Sequence, residues 1–253
     1  MKRIEKIKLV FIIAGLLIVS SCASKKDVVY FNDLDISQKD KVAFSASKTQ
    51  VNDILNIIIS SNSTDIASVY NFNQNTTTPT GYLVTPEGTV TLPILGKIKV
   101  IDLTLLEIES LVTRKLIDDK QLMNPIVIVR LINAKFTVIG EVNNPGTYTF
   151  NEQNISLLQA IGYAGDLTIN GKRQDVLVIR QENDTKTYMM IDLTSRNWLS
   201  SPYYYVKPND VIYVNPNGPK IKSAGYVGNL GTFFTIFSTA LSTILTILIL
   251  SKK

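Results

Sequence analysis

Few residues in this 253-residue sequence have the types and spacing that covalent chemistry requires. The chain contains no histidine, which removes the commonest general base and the commonest metal ligand. An enzyme would need an activated nucleophile or an acid–base pair. The neighbouring carboxylates are more simply interpreted as solvated charges on and after a helix: Glu107 with Glu109, and Asp118 with Asp119. We therefore predict no enzyme, no catalytic residue and no metal site.

The single cysteine is the exception, because its surroundings favour covalent lipid attachment. Residues 1–21 have a basic start followed by an apolar run over 9–19. This run is too short to span a bilayer and is typical of a secretory signal peptide. It ends in Val19-Ser20-Ser21-Cys22, which matches the lipobox of bacterial lipoproteins. We predict a diacylglycerol and acyl lipid on Cys22 and no other cofactor; a buried or incidental thiol is the alternative.

The residue after the cysteine indicates the membrane to which the protein is delivered. Position two of the mature chain is Ala23 rather than an aspartate that would hold it at the inner membrane. We therefore expect a lipid-anchored protein of the bacterial outer membrane, with its soluble body in the periplasm.

The stretch 230–250 is the second segment predicted to enter a membrane. It is uncharged, and a helix of this length reaches roughly 30 Å, the thickness of a hydrocarbon core. Its polar side chains are all hydroxyls within an arc of roughly 140°: Thr232, Thr235, Ser238, Thr239, Ser242, Thr243 and Thr246. Such sorting favours a transmembrane helix with lipid on one side and sister helices or water on the other. A simple anchor whose hydroxyls bond their own backbone is the alternative.

The net charge of +5 does not indicate a nucleic-acid partner. Four of the 26 basic residues and one of the 21 acidic residues lie within the first eight positions, which leaves +2 for the rest. No basic stripe is present, so we predict no nucleic-acid binding. One cysteine also excludes an internal disulfide and a multi-cysteine zinc site.

Between the two membrane-directed segments, the sequence predicts an α+β architecture. A polar tether over 22–47 contains a short strand at 28–31 and leads to a first domain at 48–133. That domain has strands around 53–60, 81–100 and 126–132, and a helix that begins at Thr104 with Glu107 completing a capping box. The Asn-, Thr- and Ser-rich stretch 61–80 predicts a long loop, either functional or a plain insertion.

A second domain is predicted at 135–216, followed by a linker at 217–229. A hairpin, a short helix capped by Ser156 and Gln159, and further strands follow one another in the order of a β-grasp domain. The two domains contain a similar four-residue segment: Asn52-Asp53-Ile54-Leu55 in the first and Asn209-Asp210-Val211-Ile212 in the second. A duplication and a shared turn that leads into a strand both explain it.

Several segments together resemble a known family. The segment 92–100 (LPILGKIKV), the capped helix after it and Asn124-Pro125 resemble the polysaccharide export domain. The segments 140–146 (GEVNNPG), 160–165 (AIGYAG) and 208–212 (PNDVI) resemble the soluble-ligand-binding β-grasp (SLBB) domain. With the lipobox and the carboxyl-terminal helix, the chain resembles the Wza-like outer-membrane polysaccharide export lipoproteins.

The resemblance implies a homo-oligomeric ring of about eight subunits with a helical barrel through the outer membrane. It also implies a capsular or exopolysaccharide substrate, delivered by an inner-membrane polysaccharide co-polymerase/tyrosine kinase protein. This chain has one β-grasp domain where longer relatives have two. Asn52 and Asn209 replace the usual turn glycine, and asparagine tolerates the left-handed backbone required there.

Two further alternatives remain open from the sequence. The aromatic group of Trp198, Tyr203, Tyr204 and Tyr205 either stacks on sugar rings or packs within the fold. The whole chain is alternatively a monomeric, membrane-anchored glycan-binding or scaffold lipoprotein. Lys252 and Lys253 would then favour a tail anchor in the inner membrane by the positive-inside rule.

Overall fold

The computed structural model describes residues 25–35, 37, 39, 42, 44, 46–62, 68–71, 81–182, 185–224 and 230–250. The signal peptide, Cys22 and both terminal lysines lie outside the described residues. Most of the loop predicted at 61–80 does so too. Within the last helix, the side chains at positions 230, 244, 245, 248 and 249 are also outside the description.

The first unit is a three-stranded antiparallel sheet with a helix on one face. Its elements are β1 (Ile54–Ser60), β2 (Tyr82–Leu83), β3 (Thr89–Leu92), β4 (Gly96–Lys99), α1 (Leu105–Asp118) and β5 (Ile126–Leu131). The sheet order is β2-β1-β5, and β3 with β4 forms a separate hairpin. Ile108, Val112 and Leu116 recur at helical spacing, so α1 buries one apolar stripe in the core.

The second unit is a five-stranded sheet with its own hydrophobic core. Its elements are β6 (Lys135–Gly140), β7 (Gly146–Thr149), β8 (Ile155–Ser156), α2 (Leu157–Tyr163), β9 (Gly171–Glu182), β10 (Thr185–Ile191), β11 (Tyr205–Val206) and β12 (Val211–Pro216). The order is β10-β9-β12-β6-β7, with β12 parallel to β6 and the other pairs antiparallel. Leu131 packs against the cores of both units and links them.

Both predicted capping boxes are confirmed. The Glu107 N–H donates to Thr104 Oγ1 at 3.3 Å, and the Glu107 carboxylate accepts the Thr104 N–H at 2.7 Å. Ser156 and Gln159 make the same reciprocal bonds at the start of α2. Each box satisfies backbone donors that the first turn of a helix leaves unpaired, which is why both helices begin where predicted.

The short strand predicted at 28–31 is wrong. The segment begins with a 3₁₀ turn at Lys25–Asp27, and Phe31 adopts a left-handed backbone with φ 54°, which breaks an extended conformation. The segment instead docks on the second unit. Asn32 donates its N–H to Thr194 O at 2.7 Å, and Asp33 accepts the Arg196 N–H at 2.7 Å. This part of the predicted tether is thus fixed to the fold.

Two helices follow β12: α3 (Gly218–Ser223) and α4 (Leu230–Leu250). The helix predicted at 230–250 is confirmed as a helix with those bounds. Its prediction as a membrane span is not supported. Across the described residues, no helix combines the length and the apolar character needed to cross a membrane.

Candidate functional site

Each unit contains the same turn immediately before a strand. Asn52 and Asn209 have φ values of 71° and 67°, so asparagine does occupy the left-handed position in both turns. The following aspartate accepts a backbone N–H from three residues earlier: Gln50 N to Asp53 Oδ2 at 2.8 Å, and Lys207 N to Asp210 Oδ2 at 2.8 Å. This geometry favours a shared turn as the explanation of the similar four-residue segments.

The two aspartates differ in their charge partners. Asp210 forms a two-pronged ion pair with Arg180, with Nε to Oδ1 at 3.0 Å and Nη2 to Oδ2 at 2.7 Å. The Arg180 and Asp210 side chains are 5% and 0% exposed. Burial raises the pKa of Asp210, and the guanidinium opposes that shift. The pair therefore forms a buried polar anchor inside the second unit.

Arg180 also fixes the loop that carries the predicted aromatic group. It donates to the carbonyl oxygens of Pro202 at 3.0 Å and Tyr205 at 2.8 Å. Its guanidinium carbon lies 4.6 Å from the centre of the Tyr203 ring, within the range of a cation–π contact. One buried arginine thus holds the turn at 202, the ring of Tyr203 and the start of β11.

The structure brings the four predicted aromatic residues together, in different environments. Trp198 is buried and stacks between Phe31, with ring centroids 6.0 Å apart, and Tyr204 at 5.8 Å. Tyr205 meets Tyr204 edge-on at 4.9 Å. The three tyrosines are half-buried, and Tyr203 shares a hydrogen bond of 2.8 Å with Thr187. Trp198 thus packs in the core, while the tyrosines retain partly accessible ring surface.

A cavity of about 380 Å³ lies where the two units meet. Phe44 and Phe150 supply aromatic surface, and Asp53 and Arg130 supply charge. The loop 151–154 adds Asn151, Glu152, Gln153 and Asn154. Apolar walls with a few polar groups are typical of small-molecule pockets. This lining would fit a ring-shaped ligand that has polar groups around its edge and apolar faces.

Asp53 is a buried carboxyl group in the lining of this junction cavity. It is 5% exposed, and among the described residues no cation pairs with it. Burial raises its pKa to about 6, because the N–H of Gln50 only partly offsets the loss of water.

Replacing Asp53 by asparagine is expected to remove a pH-dependent cost of folding. The folded protein binds this proton more tightly than the unfolded chain, so wild-type stability falls as pH rises from about 4 to about 6. Above that range, Asp53→Asn should be more stable by up to about 3 kcal/mol, since each pKa unit corresponds to about 1.4 kcal/mol. Urea unfolding at both ends of the range measures this. An equal difference at both pH values would rule out titration of Asp53 as the cause.

Most hydroxyls of the predicted face of α4 form hydrogen bonds within their own helix. Five hydroxyls donate to carbonyl oxygens three or four residues earlier within the helix: Thr235, Ser238, Thr239, Thr243 and Thr246. Such internal bonds satisfy a hydroxyl without a neighbouring helix. They leave both sequence interpretations of this face in place.

The acidic pairs have structural contacts. Glu107 belongs to its capping box, and Glu109 Oε1 accepts the Val129 N–H at 2.9 Å on the outer edge of β5. Asp119 pairs with Lys115 at 3.4 Å. Among the described residues, no group of three or more metal-ligating side chains is present.

Comparison with protein families assigns both units. The profile of the polysaccharide biosynthesis/export protein family matches residues 45–132, and the SLBB domain profile matches residues 134–214. The chain therefore contains a polysaccharide biosynthesis/export domain followed by an SLBB domain, in a mixed α and β fold. Both are export and binding families rather than enzyme families.

Sequence reasoning missed Arg180 as the residue that organises the aromatic loop. The signal was present in β9, where Val176, Val178 and Arg180 alternate onto one face and all three are buried. A buried charge on the inward face of a strand requires a partner of opposite charge. Of the two aspartates in the repeated segments, Asp210 is the one nearer to Arg180 in the sequence. The contact of Phe31 with Trp198 had no comparable local signal.

Proposed function

We propose that this protein is an outer-membrane lipoprotein that assembles into a ring and conducts capsular or exopolysaccharide to the cell surface. The observation that carries the proposal is the order of parts in one chain. An export domain and an SLBB domain are followed, after the short helix α3, by a long uncharged helix. Transport of this kind needs no catalytic group, because the protein supplies only a path and its walls.

In this proposal the two ends of the chain hold the body at the outer membrane. Cys22 carries the acyl lipid, and α4 supplies one helix of a closed helical barrel, in which only the apolar face of α4 would meet lipid. No charge interrupts the sequence between Lys222 and Lys252, which supports contact of α4 with lipid. Closure of the barrel places the hydroxyls toward neighbouring helices and a mildly polar interior. An inner-membrane polysaccharide co-polymerase delivers the polymer to a ring of about eight copies.

The three half-buried tyrosines supply the proposed sugar contact, and Trp198 supports them from the core. Tyr203→Ala is expected to leave assembly intact and to reduce surface polysaccharide several-fold, because a contact with one aromatic ring contributes about 0.5–1.5 kcal/mol. The measurement is surface polysaccharide per cell at equal protein level. Tyr163→Ala, an exposed tyrosine on α2 of the same unit, is the control. Unchanged export in Tyr203→Ala would remove this contact from the proposal.

Gene removal tests the function itself. Cells that lack this protein should still synthesise the polysaccharide but retain it inside the envelope. Expression of the full chain should restore it to the surface. Normal surface polysaccharide in the deleted strain would contradict the proposal.

The second candidate is a monomeric, membrane-anchored glycan-binding or scaffold lipoprotein, which in one form is tail-anchored in the inner membrane. The observation in its favour is the cavity of about 380 Å³ where the two units meet, whose apolar walls and few polar groups fit a bound ligand. The junction cavity would then be its ligand site. Fractionation separates the two candidates, since the tail-anchored form remains with the inner membrane.

A further inference from the structure

The five-stranded sheet has a second apolar face that no core requires. Cross-strand pairing aligns the outward side chains in two rows that run across the sheet. The first row is Met190, Leu177, Tyr213 and Ile139, and the second is Tyr188, Ile179, Val211, Thr137 and Thr147. None of these nine residues is charged. Tyr188 and Met190 are 65% and 52% exposed.

This pattern differs from that of a sheet with one face in water. An antiparallel sheet that packs one face on a core normally carries polar residues on the other. Edge strands are further protected by charge, proline or bulges. The edge strand β10 has one outward charge, Lys186 at its start, and then presents Tyr188 and Met190 at the next two outward positions. A contiguous apolar face of this kind marks a surface that is covered in the working protein.

The first unit repeats the arrangement. Its helix α1 covers one face of the sheet, and the other face pairs Ile54 with Leu83 and Ile58 with Ile128. Ile126, at the start of β5, adds another apolar side chain to this face. Ile126, Leu83 and Ile128 are all exposed. Only the Asn56–Arg130 pair introduces a charge. Each unit is thus a helix on a sheet, with an apolar sheet face left open.

We propose that a second copy of this chain covers these two sheet faces. The inference rests on the proposed ring and names the surface through which neighbouring copies meet. At the usual strand spacing, the two faces offer on the order of 600 Å² per copy, compared with about 800 Å² per partner in a stable interface. A rim of polar contacts makes up the difference. The absence of charge across the rows of the second unit disfavours a phosphate-rich partner.

The contact is of the head-to-tail kind that closes into a ring. A sheet face and a helical side lie on opposite sides of each unit, so one copy can present its open sheet to the helical side of the next. On α1, Leu106 and Ile117 are exposed and lie eleven residues apart, which places them within about 20° on one helix face. These two apolar side chains, with the polar Ser110 and Thr113 between them on the same face, are the proposed counterpart of the open sheet in the first unit.

The test is a charge substitution within the rows. We expect Tyr188→Lys with Met190→Lys to weaken ring association at least tenfold, measured as the mass of the mature full chain in mild detergent by light scattering. Lysine is readily accommodated on an edge strand, so folding should be retained and an unchanged thermal melt confirms it. The control is Ile94→Lys with Ile169→Lys, two isoleucines that are 60% and 71% exposed outside both faces.

The outcomes separate this inference from the function on which it rests. A wild-type ring that dissociates only in the row variant supports the inference. A row variant with the mass of the wild-type ring overturns the inference and leaves the function standing. Wild-type protein without any ring overturns both. A photo-crosslinker at position 188 identifies the occupant: self-crosslinked dimers support the inference, and crosslinks to another protein alone overturn it.

Discussion

Asp210→Ala should destabilise the second unit by about 3–5 kcal/mol, because removal of one partner leaves the other charge buried and unpaired. Arg180 is 5% exposed and would retain only its two carbonyl acceptors. The turn at Asn209 would also lose the side chain that accepts the Lys207 N–H. Urea unfolding, followed by the near-ultraviolet signal of Trp198, measures the loss.

A matched control distinguishes burial from charge pairing. Asp175→Ala removes the partner of Lys172 in a pair of 2.7 Å whose side chains are partly exposed. Exposed pairs contribute about 0–1 kcal/mol, so this variant should unfold close to the wild type. An Asp210→Ala protein as stable as Asp175→Ala would show that the buried pair does not hold the aromatic loop.

Cys22→Ser should abolish lipid attachment and outer-membrane delivery. Acyl transfer needs the thiol, and serine places a hydroxyl at the same position, so the precursor should keep its signal peptide and fractionate away from the outer membrane. Labelling with radioactive palmitate and membrane fractionation measure both effects. Ser21→Ala is the control, because it keeps a small residue before the cysteine. Normal labelling or fractionation of Cys22→Ser would contradict the lipoprotein assignment.

Local sequence signals predicted the elements of the fold well. The capping boxes predicted at Thr104 and Ser156 are present at both helix starts, and the strands predicted around 53–60 and 126–132 correspond to β1 and β5. Asparagine in the turns before β1 and β12 was also predicted correctly. These features depend on neighbours within a few residues, so the sequence carries their full cause.

The candidate site was less predictable because its contacts join distant parts of the chain. Phe31 reaches Trp198, and Asp33 reaches Arg196, across more than 160 residues. The short strand predicted at 28–31 failed for this reason, since docking on the second unit decides the backbone there. The junction cavity likewise needs Phe44, Asp53 and Phe150 from three separate segments. The aromatic group was found from its clustering in the sequence, but its division into a buried Trp198 and half-buried tyrosines was not.

The most direct test of the central claim is an image of the mature full chain extracted in mild detergent. Negative-stain microscopy with light scattering on the same sample gives symmetry and mass together. We predict closed rings of about eight copies, consistent with cyclic assembly. A uniform population of monomers or dimers would contradict the export conduit, and α4 would then be a plain anchor.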